Sequence, residues 1–186
     1  MSPFGKLFWG FLIVFIDIRI GGFDILIDLV GYVLIVIGLG ELQHRNRLFG
    51  RARPYATVLL VLSAFDLFTR TPYGGSGVGL FGSPGLAVAF IVALLFVNVM
   101  LVFFVCRGIG EMARERGAAE LADLSITRWQ FFLGTQIAST VLLVIAFSGG
   151  DPTALALASM IASLVAALLI AGLLRRADKT LYPRGA

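Results

Sequence analysis

Six apolar runs of about 20 residues, each broken off by a short charged or glycine-rich stretch, govern what this chain can fold into. A run of that length crosses roughly 30 Å of hydrocarbon as a helix. Of 186 residues, 59% are hydrophobic and only 14% charged, and mean hydropathy is +0.96. So few charges cannot clothe the surface of a water-soluble domain of this size. A closed barrel would need strands that alternate apolar and polar residues. Leu86–Cys106 and Val141–Phe147 do not alternate. The sequence therefore predicts an all-α membrane protein forming a single transmembrane domain.

The positive charges orient it. Thirteen of the fifteen Lys and Arg fall at Lys6, in Arg45–Arg53, in Arg107–Arg128 and in Arg175–Arg184. Only Arg19 and Arg70 lie elsewhere. Placing the four clusters on the cytoplasmic side satisfies the positive-inside bias. It gives six transmembrane helices as three hairpins, with both termini cytoplasmic. The expected helices are residues 4–20, 23–42, 55–70, 84–106 with a cytoplasmic extension to about 122, 126–147 and 152–176. Ser125 or Thr127 is the expected cap of the fifth. The N-terminus has no small-residue cleavage site and reads as a retained helix. The expected location is a bacterial inner membrane.

Against this background the intramembrane acids stand out. Asp17, Asp28 and Asp66 each lie about 11–13 residues from the charge that ends their run, or about 16–20 Å at 1.5 Å per residue. A carboxylate at that depth costs roughly 2.5–3.5 kcal/mol on insertion scales, so it marks a candidate functional site. Asn98, Gln136 and Ser163 fall at a similar depth on later helices. Asp24, Arg19 and Arg70 lie about a turn nearer the outside. Asp24 and Asp28 share a helix face and repel if both are ionised, whereas Asp66 and Arg70 have the spacing of an ion pair. The candidate substrate- or cation-binding set is thus Asp17, Arg19, Asp24, Asp28, Asp66, Arg70, Asn98 and Gln136. If a metal binds, Asp17, Asp28 and Asp66 are its ligands, and such oxygens suit hard cations. Two uses stay open: an outward-facing acidic site for a proton, cation or small cationic solute, or Asp–Arg pairs that glue the helices of an accessory subunit.

Other chemistry is poorly served. Cys106 is the single cysteine and His44 the single histidine, which excludes a disulfide, a CxxC pair and a histidine cluster. No Ser–His–Asp set, zinc motif or phosphate-binding loop is present, so no enzyme activity and no cofactor are expected. The net charge of +4 follows topology rather than a nucleic-acid-binding face. The expected partners are the lipid bilayer and, through Ala154, Ala158, Ala162 and Ala166 at four-residue spacing, a second copy or another membrane subunit. Gly31, Gly38 and Gly40 are expected to let the second helix pack closely.

The segment Phe15-Ile-Asp-Ile-Arg-Ile-Gly-Gly-Phe-Asp-Ile-Leu-Ile-Asp-Leu-Val-Gly-Tyr32 resembles a pattern near the N-terminus of small bacterial polytopic membrane proteins of uncharacterised function, F-x-D-x-R-I-x-G-F-D-I-L-P-D-x-x-G-Y. Ile27 stands where that pattern has proline. The resemblance covers about the first 45 residues. It implies that Asp17, Arg19, Asp24 and Asp28 form one unit, and implies no activity. The size and six-helix layout are also similar to the substrate-binding subunits of energy-coupling-factor vitamin transporters. Their alanine-rich coupling motif is missing, because the first helix contains no alanine.

Overall fold

Six helices follow one another along the chain: α1 (Pro3–Ile16), α2 (Asp24–Leu42), α3 (Arg47–Thr69), α4 (Pro84–Glu115), α5 (Ala119–Phe147) and α6 (Pro152–Leu181). The structure, a computed structural model, describes residues 1–16, 24–69, 84–147 and 152–181. It describes their side chains except at 15–16, 24–27, 66–69, 84–88, 91, 143–147 and 152–160. The described residues are all-helical, with no strand.

Each helix packs against the next, and α6 returns to pack on α1, so the six form a closed ring. Neighbours run antiparallel. The starts of α1, α3 and α5 meet the ends of α2, α4 and α6 at one end of the ring. Lys6 pairs with Glu41, Asn46 Nδ2 donates to Glu111 Oε2 at 3.2 Å, and the Arg116 guanidinium donates to the Leu181 carbonyl. Every Lys and Arg among the described residues belongs to this charged end.

The buried core of the described residues lies toward this end too. Phe4, Phe11, Phe49 and Phe132, all essentially solvent-free, fill the ring with Leu7, Ile35, Leu39, Ile109 and Ile170. Phe4 meets Phe49 edge-on at 6.1 Å between centroids. Close helix approach completes the packing. A Cβ on Gly10 would lie 2.7 Å from the Gly31 carbonyl, and one on Gly31 would lie 3.0 Å from the Gly10 carbonyl. Backbone therefore rests on backbone where α1 crosses α2. Gly38 packs on Pro3 and Leu7 in the same crossing, as expected, whereas Gly40 has only ordinary contact with Arg53.

Away from the core, the helices turn apolar side chains outward. Val30, Val33 and Ile37 on α2, Val58, Val61 and Phe65 on α3, and Ile161, Leu164 and Leu168 on α6 are exposed at three- and four-residue spacing. Among the described residues one stretch, Val92–Glu115, is long and apolar enough to cross a membrane, with mean hydropathy 2.4 over its most apolar 18 residues. Pro3–Val14 is a shorter apolar helix.

Helix boundaries depart from the sequence expectation at three places, one being the end of α6, which runs on to Leu181 rather than 176. Helix α3 starts at Arg47 rather than near 55, and only Gln43–Asn46 remain as a connection. Asn46 caps it, its Oδ1 accepting the Leu48 N–H at 2.8 Å. The two added turns bury Leu48, Phe49 and Ala52 while Arg47, Arg51 and Arg53 stay exposed, so an amphipathic turn underlies the basic stretch. The charged extension of α4 stops at Glu115, and α5 begins at Ala119 rather than 126. Gly117 has φ 73°. Its N–H bonds the Arg114 carbonyl at 3.1 Å, and the Ala118 N–H bonds the Ala113 carbonyl at 2.8 Å. This is the paired closure of a Schellman motif, and glycine adopts its left-handed residue without steric cost. Ser125 and Thr127 therefore cap nothing. Their hydroxyls bond back to the carbonyls of Ala122 and Asp123 within α5.

Candidate functional site

Following each inward stripe away from the charged end shows where the core changes character. On α2 the buried positions Leu42, Leu39 and Ile35 lead, seven residues on, to Asp28. On α3, Ala52, Ala56 and Leu59 lead to Ser63. On α4, Ile109, Val105 and Val102 lead to Asn98, and on α5 Ser125 and Phe132 lead to Gln136 and Ser139. On α6, Ile170 and Ala166 lead to Ser163. Five helices thus exchange an apolar interior residue for a polar one just past the buried core, whose phenylalanines (Phe4, Phe11, Phe49 and Phe132) are termed its floor. All six of these polar residues are half-buried.

Contacts between the helices fix their relative level. Phe103 of α4 meets Trp129 of α5 at 5.1 Å, Gly110 lies against Ser125, and Phe49 of α3 lies against Gly108. Arg128 of α5 reaches Leu169 of α6. Counting from these points puts Asn98, Gln136 and Ser163 level with one another. Asp28, Ser63 and Ser139 lie about one turn, or about 5 Å, further from the charged end.

Asp28 is the exceptional member. Seven carboxylate side chains are described, and the other six, Glu41, Glu111, Glu115, Glu120, Asp123 and Asp178, belong to the charged end. Asp28 does not, and its Oδ1 is shut off from solvent. One turn on, Tyr32 is half-buried against the core on the same helix. The Ser139 hydroxyl on α5 is also buried and has no hydrogen-bond partner among the described residues. A buried hydroxyl without a partner costs about 1–3 kcal/mol.

Of the residues proposed from sequence, Asp28, Asn98 and Gln136 belong to this layer. Asp24 and Asp66 lie on α2 and α3, but their side chains fall outside the described residues, as do Asp17, Arg19 and Arg70 altogether. No group of three or more His, Cys, Asp or Glu that could hold a metal occurs among the described residues. Ser63, Ser139 and Tyr32 were not singled out by depth counting. Seven-residue spacing from the core was the signal for the two serines, and it is readable only once the buried face of each helix is known. Chemically, the layer offers one carboxylate, two amides and three hydroxyls, all able to present oxygen to a cation or to bond a polar solute. The chain matches no protein-family model, no curated protein and no solved structure in comparisons with all three.

Proposed function

We propose that the chain is a small polytopic protein of the bacterial inner membrane with six spans, charged end in the cytoplasm, whose interior polar layer binds or moves a proton, a cation or a small cationic solute. The observation that carries this reading is Asp28, a carboxylate with a sealed oxygen, set apart from every other described acid and within about a turn of the level of half-buried neutral polar residues on four further helices. The multi-span part is supported by the outward apolar stripes on α2, α3 and α6, which a monomer in water would leave exposed. It is supported also by the gathering of basic residues at one end.

The phenylalanine floor bears on mechanism. Phe4, Phe11, Phe49 and Phe132 are buried in the ring toward the proposed cytoplasmic end, and on this reading an occupant reaches Asp28 from the outside. In this state the site holds its ligand rather than conducting it, and transport requires the floor to open.

The test is the thermal stability of the detergent-purified protein across pH and in Na⁺, K⁺, Mg²⁺, Ca²⁺ and small organic amines. One ligand or pH step is expected to raise Tm in the wild type. Asp28→Asn is expected to remain folded and lose that response, with Asp17→Asn and Asp66→Asn weakening it. A wild-type Tm indifferent to every cation and to pH, in a protein that co-purifies stoichiometrically with other membrane subunits, replaces this reading with that of an accessory subunit.

A further inference from the structure

A second feature lies at the opposite side of the floor, in the groove between α5 and α6. Arg128 is half-buried one turn before Phe132, and its Nη1 donates to the Leu169 carbonyl of α6. The guanidinium lies against Gly172, where a Cβ would come within 3.1 Å of Nη1 and the guanidinium would have to give by a few tenths of an ångström. Among the described residues that neutral carbonyl is its hydrogen-bond partner, and no carboxylate lies within ion-pair distance. The Leu169 carbonyl also belongs to the α6 helical ladder, so it supplies no charge to answer the cation. Arg176, one turn along α6 from Gly172, brings further positive charge to the same groove. A half-buried guanidinium has five N–H donors in a planar fork, and leaving it with one neutral acceptor is costly.

We propose that this groove is a phosphate site, in which the free edge of the Arg128 fork, backed by Arg176, takes a phosphate group carried by an anionic phospholipid headgroup. Guanidinium meets phosphate with two parallel charge-assisted hydrogen bonds, the strongest pairing available to it. The groove stands where the positive-inside orientation puts the cytoplasmic headgroups, and the exposed Leu168 of α6 lies beside Leu169 to meet the acyl chains. The lipid source rests on the membrane reading proposed above. The phosphate chemistry does not, and it can be probed without a bilayer.

Detergent-purified wild type is titrated with phosphatidylglycerol, with phosphatidylcholine and with inorganic phosphate, and bound lipid is counted by native mass spectrometry. Phosphatidylglycerol is expected to bind about tenfold more tightly than phosphatidylcholine, which has the same phosphate but whose choline cation meets the positive charge of Arg128 and Arg176. Arg128→Gln is expected to abolish that preference. Arg128→Lys, which keeps the charge but loses the fork, is expected to fold and to retain only part of it. Arg47→Gln, at the same end but exposed, is expected to leave it intact. Inorganic phosphate binding as tightly as the lipid keeps the phosphate site and assigns it to a free ion instead. Equal binding of both lipids with no phosphate binding, or unchanged selectivity in both Arg128 variants, overturns the proposal.

Discussion

At the scale of single residues, what matters is which side chains share an inward stripe with the core. Asp28 was legible as an anomaly because a carboxylate inside an apolar run needs no structure to be noticed. Its company was only half legible. Depth counting found Asn98, Gln136 and Ser163, but serines are common inside membrane-length helices and Ser63 and Ser139 gave no signal of their own. The reason is physical. A hydroxyl can bond back to its own helix, as Thr135 and Thr140 do to Phe131 and Gln136, so its presence implies no site. Only burial without such a bond, as at Ser139, singles one out. Gly31 belongs to the same scale. A side chain there meets Val14 at 2.6 Å and the Gly10 carbonyl at 3.0 Å. Gly31→Leu is expected to destabilise the protein by about 1–3 kcal/mol through overpacking, read as a lower thermal midpoint. Phe49→Ala, which empties a fully buried position facing Phe4 and Gly108, is expected to cost about 3–5 kcal/mol.

At the scale of elements, the existence and order of six helices could be read from the sequence, because the apolar runs are long and uninterrupted. Their ends could not. The start of α3 was hidden under Arg47, Arg51 and Arg53, whose charge reads as loop although the intervening Leu48, Phe49 and Ala52 are a buried stripe. The α4–α5 break was hidden for the converse reason. Charges at helical spacing run through Glu111, Arg114 and Glu115 toward Glu120, and the one dissenting residue, Gly117, is easily absorbed by a helical pattern. That residue sets the turn. A Cβ at Gly117 meets nothing within 4 Å, so substitution there tests conformation alone. Gly117→Ala is expected to cost roughly 1–2 kcal/mol, and Gly117→Asn less, when unfolding is followed by circular dichroism. The alanine stripe of α6 shows a further limit of sequence reading. Ala166 is buried and Ala162 half-buried within the ring, so this part of the stripe serves α6's own neighbours. Spacing alone could not tell that use from a contact with a second copy.

At the scale of the whole molecule, the ring is asymmetric. One end is charged, apolar-cored and dense. Beyond it the described residues on the inward stripes turn polar, while outward-facing residues stay apolar along α2, α3 and α6. That division underlies the proposed account of a cup, open to the outside, with Asp28 near its floor. On this account the protein stays with the bilayer through an alkaline carbonate wash and is released only by detergent, and recovery in the carbonate supernatant would argue against the six-span reading. The most direct test of the cup is thiol accessibility in intact cells. With Cys106→Ala removing the native thiol, Asn98→Cys is placed in the polar layer and Val102→Cys one turn below it in the floor. A membrane-impermeant maleimide added from outside is predicted to label Asn98→Cys and to spare Val102→Cys. Labelling of Asn98→Cys only after the cytoplasmic side is exposed would contradict the account.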